Sequence, residues 1–129
     1  MRHIEDDHQA ALIRWAGLQS KAMPELALLL HIPNGGRRGK REAGRLKAQG
    51  VRPGVPDLLL PVPRNGRHGL WIELKAPEDG RLSVEQKRWL EALAKQGYAA
   101  CVCAGWESAR DRILEYLNPT IPPTSPGYI

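Results

Sequence analysis

Cysteine is nearly missing from this chain of 129 residues: there are two, Cys101 and Cys103, within "YAACVCAG". Alternation puts both side chains on one face of a predicted strand, where neighbouring positions make poor disulfide geometry. Two thiols alone do not build a tetrahedral zinc site either. They read as small buried side chains. Long apolar runs are missing too, and no stretch approaches the ~20 residues that a membrane-crossing helix needs. The N-terminus, "MRHIEDDHQA", carries acids where a secretory signal would have a basic end and an apolar run. These absences predict a cytoplasmic protein with no membrane partner.

What remains is enough for one domain and too little for two ordinary ones. A globule of this size buries roughly two-thirds of the surface its unfolded chain exposes, so a sizeable core is possible. Hydrophobic residues make up 42% and charged residues 26%, with a formal net charge of +5 and a pI of about 9.6. Moderate basic character favours nucleic acid only slightly, but its distribution is more telling. "GGRRGKREAGRLK" gathers Arg37, Arg38, Lys40, Arg41, Arg45 and Lys47 against a single acid, Glu42.

Residues 5 to about 21 have helical composition, and at 100° per residue Glu5, Gln9, Leu12 and Ala16 form one stripe with Trp15 at its flank. Glu5 is thus expected on the core side of this helix. "PELALLLHIPNGG" reads as a short helix passing into a first strand around residues 28 to 32, and residues 39 to 49 as a basic helix stopped by Gly50. "DLLLPV" and "LWIELKAP" read as strands joined through "PRNGRHG", whose Asn65-Gly66 is a turn signal inside a loop longer than two residues. Ser83 followed by Gln86 fits a capping box opening a helix with Trp89, Leu90 and Leu93 on its apolar stripe. "YAACVCA" is a further strand and "ESARDRILEYL" a last helix. The strand–helix–strand run from 70 to 103 favours parallel pairing, and the hairpin from 57 to 75 is antiparallel. The predicted class is α/β, a small mixed sheet flanked by helices. A domain over residues 1–118 is followed by a proline-rich tail, 119–129.

Chemistry concentrates in "VRPGVPDLLLP" and "LWIELK". Glu73 and Lys75 are two apart on one strand and project to the same face, ~6.6 Å apart along the backbone, and Asp57 opens the strand that pairs with theirs. Charges on strands usually mark a solvated face. These three are instead flanked by Leu58, Leu59, Leu60, Leu70, Trp71, Ile72 and Leu74, where unpaired charge is costly. A salt bridge accounts for Glu73 and Lys75 but leaves Asp57 over. A divalent cation accounts for both acids, since it neutralises them and asks for hard oxygen ligands. An ammonium beside such an ion can hold the attacking water, take its proton, or offset charge growing on a phosphoryl group. With a basic segment nearby, the set points to phosphodiester hydrolysis in nucleic acid.

"PD…ELK" resembles the PD-(D/E)xK nuclease superfamily. The longer stretches "HIPNGG", "LKAQGVRPGVPDLLLP" and "GLWIELKAPEDGRLSVEQKRWLEALAKQGYAACVCAGWESA" resemble its VRR-NUC domain family in the compact stand-alone form of phages and prophages, over residues 3 to about 117. The resemblance implies a restriction-endonuclease-like fold, Mg²⁺ or Mn²⁺ dependence, DNA as substrate and, for a phage gene, the bacterial host cytoplasm. Small members are similar to Holliday junction resolvases and work as homodimers, which implies a structure-selective endonuclease on branched DNA such as four-way junctions. A flap or nicking endonuclease, or a non-catalytic DNA-binding protein with the same fold, is the alternative.

Carried onto this chain, the resemblance makes Asp57 and Glu73 metal ligands and Lys75 the catalytic lysine. It adds Glu5, the acid of the first helix, to the metal site, and Gln86, the glutamine after "LS", to the catalytic residues. Gln86 is also the capping-box partner of Ser83; the two roles are expected to compete, with the site role preferred. His31 is a satisfied strand-end residue or a phosphate contact, while Asp6 and His8 are not catalytic candidates. Asn34, Gly35 and Gly36 allow a tight turn with exposed N–H groups, and with Arg37, Arg38, Lys40, Arg41 and Lys47 they form the expected DNA-backbone contacts. No recognition helix is apparent, so shape selectivity is expected over base reading. Trp106, Tyr116 and Ile121 are candidates for a dimer surface.

Overall fold

The computed structural model describes residues 4–33, 40–78 and 80–118. The tail and the segment Asn34, Gly35, Gly36, Arg37 and Arg38 lie outside the described residues. Helix α1 spans Ile4–Gln19, with Glu5, Asp6 and Asp7 in its first turn, where the helix dipole favours acids. A 3-10 turn, Pro24–Leu28, leads into strand β1, Leu30–His31. Helix α2, Lys40–Ala48, is followed by β2, Leu58–Leu60, and β3, Leu70–Lys75. Helix α3, Val84–Lys95, then β4, Ala99–Ala104, and α4, Trp106–Leu117, complete the described chain.

The four strands lie in the order β1-β2-β3-β4. Pairing is antiparallel for β1–β2 and β2–β3 and parallel for β3–β4, as expected. The parallel pair requires a crossover, which α3 supplies. The β2–β3 connection is long, as expected, yet its tip is a two-residue turn. Asn65 and Gly66 both have positive φ, 49° and 78°, the pattern of a type I′ turn. Arg64 and Arg67 exchange backbone hydrogen bonds across it, at 3.1 and 2.8 Å.

Register divides the sheet into two faces. Leu58 pairs with Ile72 and Leu60 with Leu70, while Ile72 pairs with Cys101 and Leu74 with Cys103. These residues share one buried cluster with Leu12 and Ala16 of α1 and Ala109, Ile113, Tyr116 and Leu117 of α4. Strand alternation turns Leu59, Trp71, Glu73 and Lys75 to the opposite side, the side of α3. Both cysteines are buried and free, with Sγ atoms 3.8 Å apart.

Two expectations change here. Glu5 is exposed: the stripe it shares with Leu12 and Ala16 is buried only farther along the helix, so the first turn leaves its carboxylate in water, avoiding the cost of burying it. Tyr116 belongs to the core rather than to an open surface; its hydroxyl donates to the Val62 carbonyl at 2.6 Å. Trp106 also packs against the core, with the Arg110 guanidinium 5.2 Å from its ring centroid. Ile121 lies outside the described residues.

Candidate functional site

The prolines and glycine ahead of Asp57 anchor its loop against α3. Gly54 has φ +88°, and a Cβ there would stand 2.6 Å from the Glu85 backbone carbon. Pro56 is fully buried. The chain therefore reaches Asp57 in a defined place, one residue ahead of β2 and across from Glu73. The Asp57 carbonyl accepts from Ile32 N at 2.8 Å and hydrogen-bonds the His31 ring at Nδ1, 2.9 Å away. That makes His31 a strand-end residue satisfied by the backbone it steadies. The Asp57 carboxylate itself accepts from Leu74 N at 2.8 Å.

Glu73 and Lys75 are 2% and 8% exposed, so both charged side chains lie inside the protein. Lys75 Nζ is 3.9 Å from Glu73 Oε2 and donates to Gln86 Oε1 at 3.1 Å. Gln86 Nε2 donates to Glu73 Oε2 at 3.4 Å. The same Gln86 completes the capping box: Ser83 N donates to its Oε1 at 2.9 Å, and its own backbone N donates to Ser83 Oγ at 3.1 Å. The expected competition between cap and site does not occur. A carbonyl oxygen has two lone pairs, and Oε1 uses them for Ser83 and Lys75 while the amide nitrogen serves Glu73.

The electrostatics of Glu73 are unusual. Burial above all, together with hydrogen bonding to Asp57 and charge repulsion from it, pushes its pKa up to about 9, against a smaller opposing pull from Lys75. Its other oxygen, Oε1, is buried and accepts from no N–H or O–H donor of the protein. Glu5 adds repulsion at Glu73 from the first turn of α1, although its side chain is exposed. The structure thus brings Asp57, Glu73, Lys75 and Gln86 together, with Glu5 in electrostatic range. Among the described residues, no three of His, Cys, Asp and Glu gather closely enough to hold a metal by themselves. Asp57 and Glu73 still offer two hard oxygen ligands and one buried oxygen that accepts from no protein donor. That donor set fits Mg²⁺, which is commonly held by one or two carboxylates with water and substrate phosphate.

Of the expected DNA contacts, Arg41 and Lys47 are exposed on α2, and Lys40 begins that helix. Arg45 is held by Glu42 through two hydrogen bonds of 2.7 and 2.8 Å, so part of the basic segment is internally neutralised. His8, set aside on sequence grounds, has a structural task. Its Nδ1 accepts from Trp106 N at 3.0 Å and caps α4, whose own N-cap residue is Gly105. The Leu74 amide on Asp57 is a further support that sequence reading missed; spacing carries no signal for it. Among the described residues, no helix is long and apolar enough to cross a membrane.

Comparison with known proteins agrees with this arrangement. Residues 4–107 match the VRR-NUC domain. A solved structure described as a VRR_NUC domain protein is 32% identical, covers 91% of this chain and 90% of its own, and superposes with a TM-score of 0.77. No curated protein matches. The chain therefore belongs to the VRR-NUC domain family, within the PD-(D/E)xK-related nuclease fold, and its small mixed sheet between helices is the restriction-endonuclease-like arrangement of that fold.

Proposed function

We propose that this protein is a Mg²⁺- or Mn²⁺-dependent endonuclease that cuts branched DNA, in the manner of a Holliday junction resolvase. The single observation that carries the reading is Glu73, buried against Asp57 with an oxygen that accepts from no protein donor and a lysine at its side. A structural ion pair would need only one acid for Lys75. Asp57 and Glu73 would hold the ion, with Glu5 contributing negative charge from the first turn of α1. When bound, the ion supplies Lewis-acid polarisation of a phosphoryl oxygen and a more acidic water. Lys75, tethered by Gln86, is placed to orient the attacking water or to offset charge on the phosphoryl group. Gln86 fixes both the lysine and the acid through one amide, and the capping box ties that amide to the start of α3. Arg41 and Lys47, with Lys40 and residues 34–38, would contact DNA phosphates and position the duplex without reading bases.

The nuclease unit runs through residue 118, with 119–129 as an appended tail, and two such units would form a homodimer. Symmetric incision of a four-way junction needs two active sites related by the junction's own two-fold axis. The test is cleavage of a matched panel of four-way junction, flap, fork, linear duplex and single strand, without metal and with Mg²⁺ or Mn²⁺. The expected result is metal-dependent cutting strongest on the four-way junction. Preference for a flap, with a monomer by light scattering both alone and on DNA, would replace paired incision by single nicking. No cutting of any substrate with either metal would leave a non-catalytic DNA-binding protein.

A further inference from the structure

Beside the acidic pair, on the same side of the sheet, lies a cavity of about 390 Å³. That is within the range of small-ligand sites, roughly 300–1,000 Å³. Its walls include Ile32, Val51, Arg52, Val55, Trp71 and Trp89. Trp71 is two residues before Glu73 and shares its strand face, and Trp89 stands one helical turn beyond Gln86 on α3. Ile32, whose N–H bonds the Asp57 carbonyl, brings the end of β1 to the same place. The end of β1, β3 and α3 thus each carry a cavity-lining residue close in the chain or by hydrogen bond to a residue of the proposed reaction site, so the cavity neighbours that site.

Its chemistry is specific in kind. Two half-buried tryptophans, Trp71 and Trp89, line it and offer aromatic surface. Arg52 stands at the wall, and α2 beside it presents exposed Arg41 and Lys47, so an anionic backbone can approach. A flat, apolar-faced group attached to a phosphate chain meets these requirements. We propose that the cavity receives one unstacked nucleobase of the DNA strand whose phosphate is held at Asp57, Glu73 and Lys75. The proposal rests on the nuclease reading above and adds a requirement to it: a nucleotide that is unpaired, or that becomes unpaired at the branch point on binding, adjoins the bond that is cut. Nucleobase stacking on aromatic side chains is tolerant of sequence, and a base is least costly to extrude where it is already unpaired. Branch selectivity then comes from the cavity as well as from the shape of the duplex arms.

The test is a binding cycle between protein and DNA. Forked duplexes carry a single abasic residue at successive unpaired positions through the branch, and their affinities are measured by fluorescence anisotropy with Ca²⁺ in place of Mg²⁺. One abasic position should weaken binding to the parent protein by roughly 5- to 100-fold, the range for loss of a stacked base. Trp89→Leu, which keeps apolar volume and loses the ring, should weaken binding to intact DNA by a similar factor and add little on that abasic fork. Trp89→Phe should recover most of the affinity. Circular dichroism of each variant checks the fold. Parent binding that is indifferent to every abasic position overturns the proposal and leaves the cavity to a protein side chain. A Trp89→Leu loss that is equal on intact and abasic forks overturns it as well, because the ring would then act through the fold. Cleavage of the same forks with Mg²⁺ and Mn²⁺ reports separately on the nuclease reading: abasic-sensitive binding without cutting would remove the chemistry and keep the base cavity.

Discussion

The two faces of β3 sit one residue apart in sequence and do opposite work. Leu70, Ile72 and Leu74 turn to α1 and α4 and are at most 2% exposed. Trp71, Glu73 and Lys75 turn to the side of α3, where two charged groups are buried almost as deeply. Burial on the first face stabilises the fold, at roughly 25 cal/mol per Å² of apolar surface removed from water. Burial on the second face opposes folding, because Glu73 is desolvated beside another acid. The same strand thus stabilises the protein on one side and gives up part of that stability on the other. Function is to be sought not at the exposed charges but at those buried without full compensation.

Removing the acids is the strongest challenge to this division of labour. Asp57→Ala and Glu73→Ala should each reduce cleavage to background and abolish Mn²⁺ binding by calorimetry, with a retained far-UV spectrum. Parent-like metal affinity and turnover in either variant would remove that residue from the ligand set. Lys75→Met should keep metal and DNA binding and lose about 10²–10⁴-fold in single-turnover rate, the usual range for an acid–base group. A rate within about threefold of the parent, well below that range, would make Lys75 a structural counter-ion only.

The opposite face should respond in stability alone. Ile72→Ala is expected to cost about 2–5 kcal/mol in denaturant unfolding, as for other fully buried aliphatic side chains. Its rate per folded molecule should change far less than that of Lys75→Met, and a comparable decrease in both would show that the two faces are not separable.

Glu73 extends the contrast to pH. Its folded pKa of about 9 lies above the ordinary value of 4.5. Between those values the native state keeps a proton that the unfolded chain releases, so stability falls as pH rises. The favourable contribution is complete below the unfolded value and is lost as pH passes through the folded one. Metal-free protein should therefore melt at a lower temperature at a pH of about 8.5 than at about 5.5, and Glu73→Gln should flatten that dependence. Parallel melting curves for parent and variant would place the pH effect elsewhere. The smallest effect is expected on α2, where Arg41→Ala with Lys47→Ala should lower the slope of log affinity against log salt by about 0.9 for each DNA phosphate no longer neutralised. An unchanged slope would take that helix out of the DNA surface.

Much of this was legible because it is local. The capping box at Ser83 and Gln86, the alternation of Cys101 and Cys103, the parallel crossover through α3 and the shared face of Glu73 and Lys75 all follow from helical and strand periods of a few residues. Asp57 stood out because a carboxylate followed an ordered turn into an apolar strand. Glu5 was read from a stripe that holds at Leu12 and Ala16, but a wheel cannot say how far along its length a helix is covered. The Asn65-Gly66 signal marked a turn, while the two-residue closure depended on Arg64 meeting Arg67.

Which side chains share a face, where the helices begin, and that two acids and a lysine enter apolar strands were all set by the amino-acid order, since each depends only on backbone geometry over a few residues. How those pieces meet was left to the packed fold. Leu74 N–H on Asp57, His8 at the start of α4 and the cavity between Trp71 and Trp89 join residues that spacing leaves unrelated. Gln86 shows the same division within one residue. Its capping role was written in the three-residue interval from Ser83, whereas its hydrogen bonds with Lys75 and Glu73 exist only because α3 crosses back over β3. Long-range pairings of this kind are set by packing, where the free energy of burial is shared among many residues and no short pattern records it.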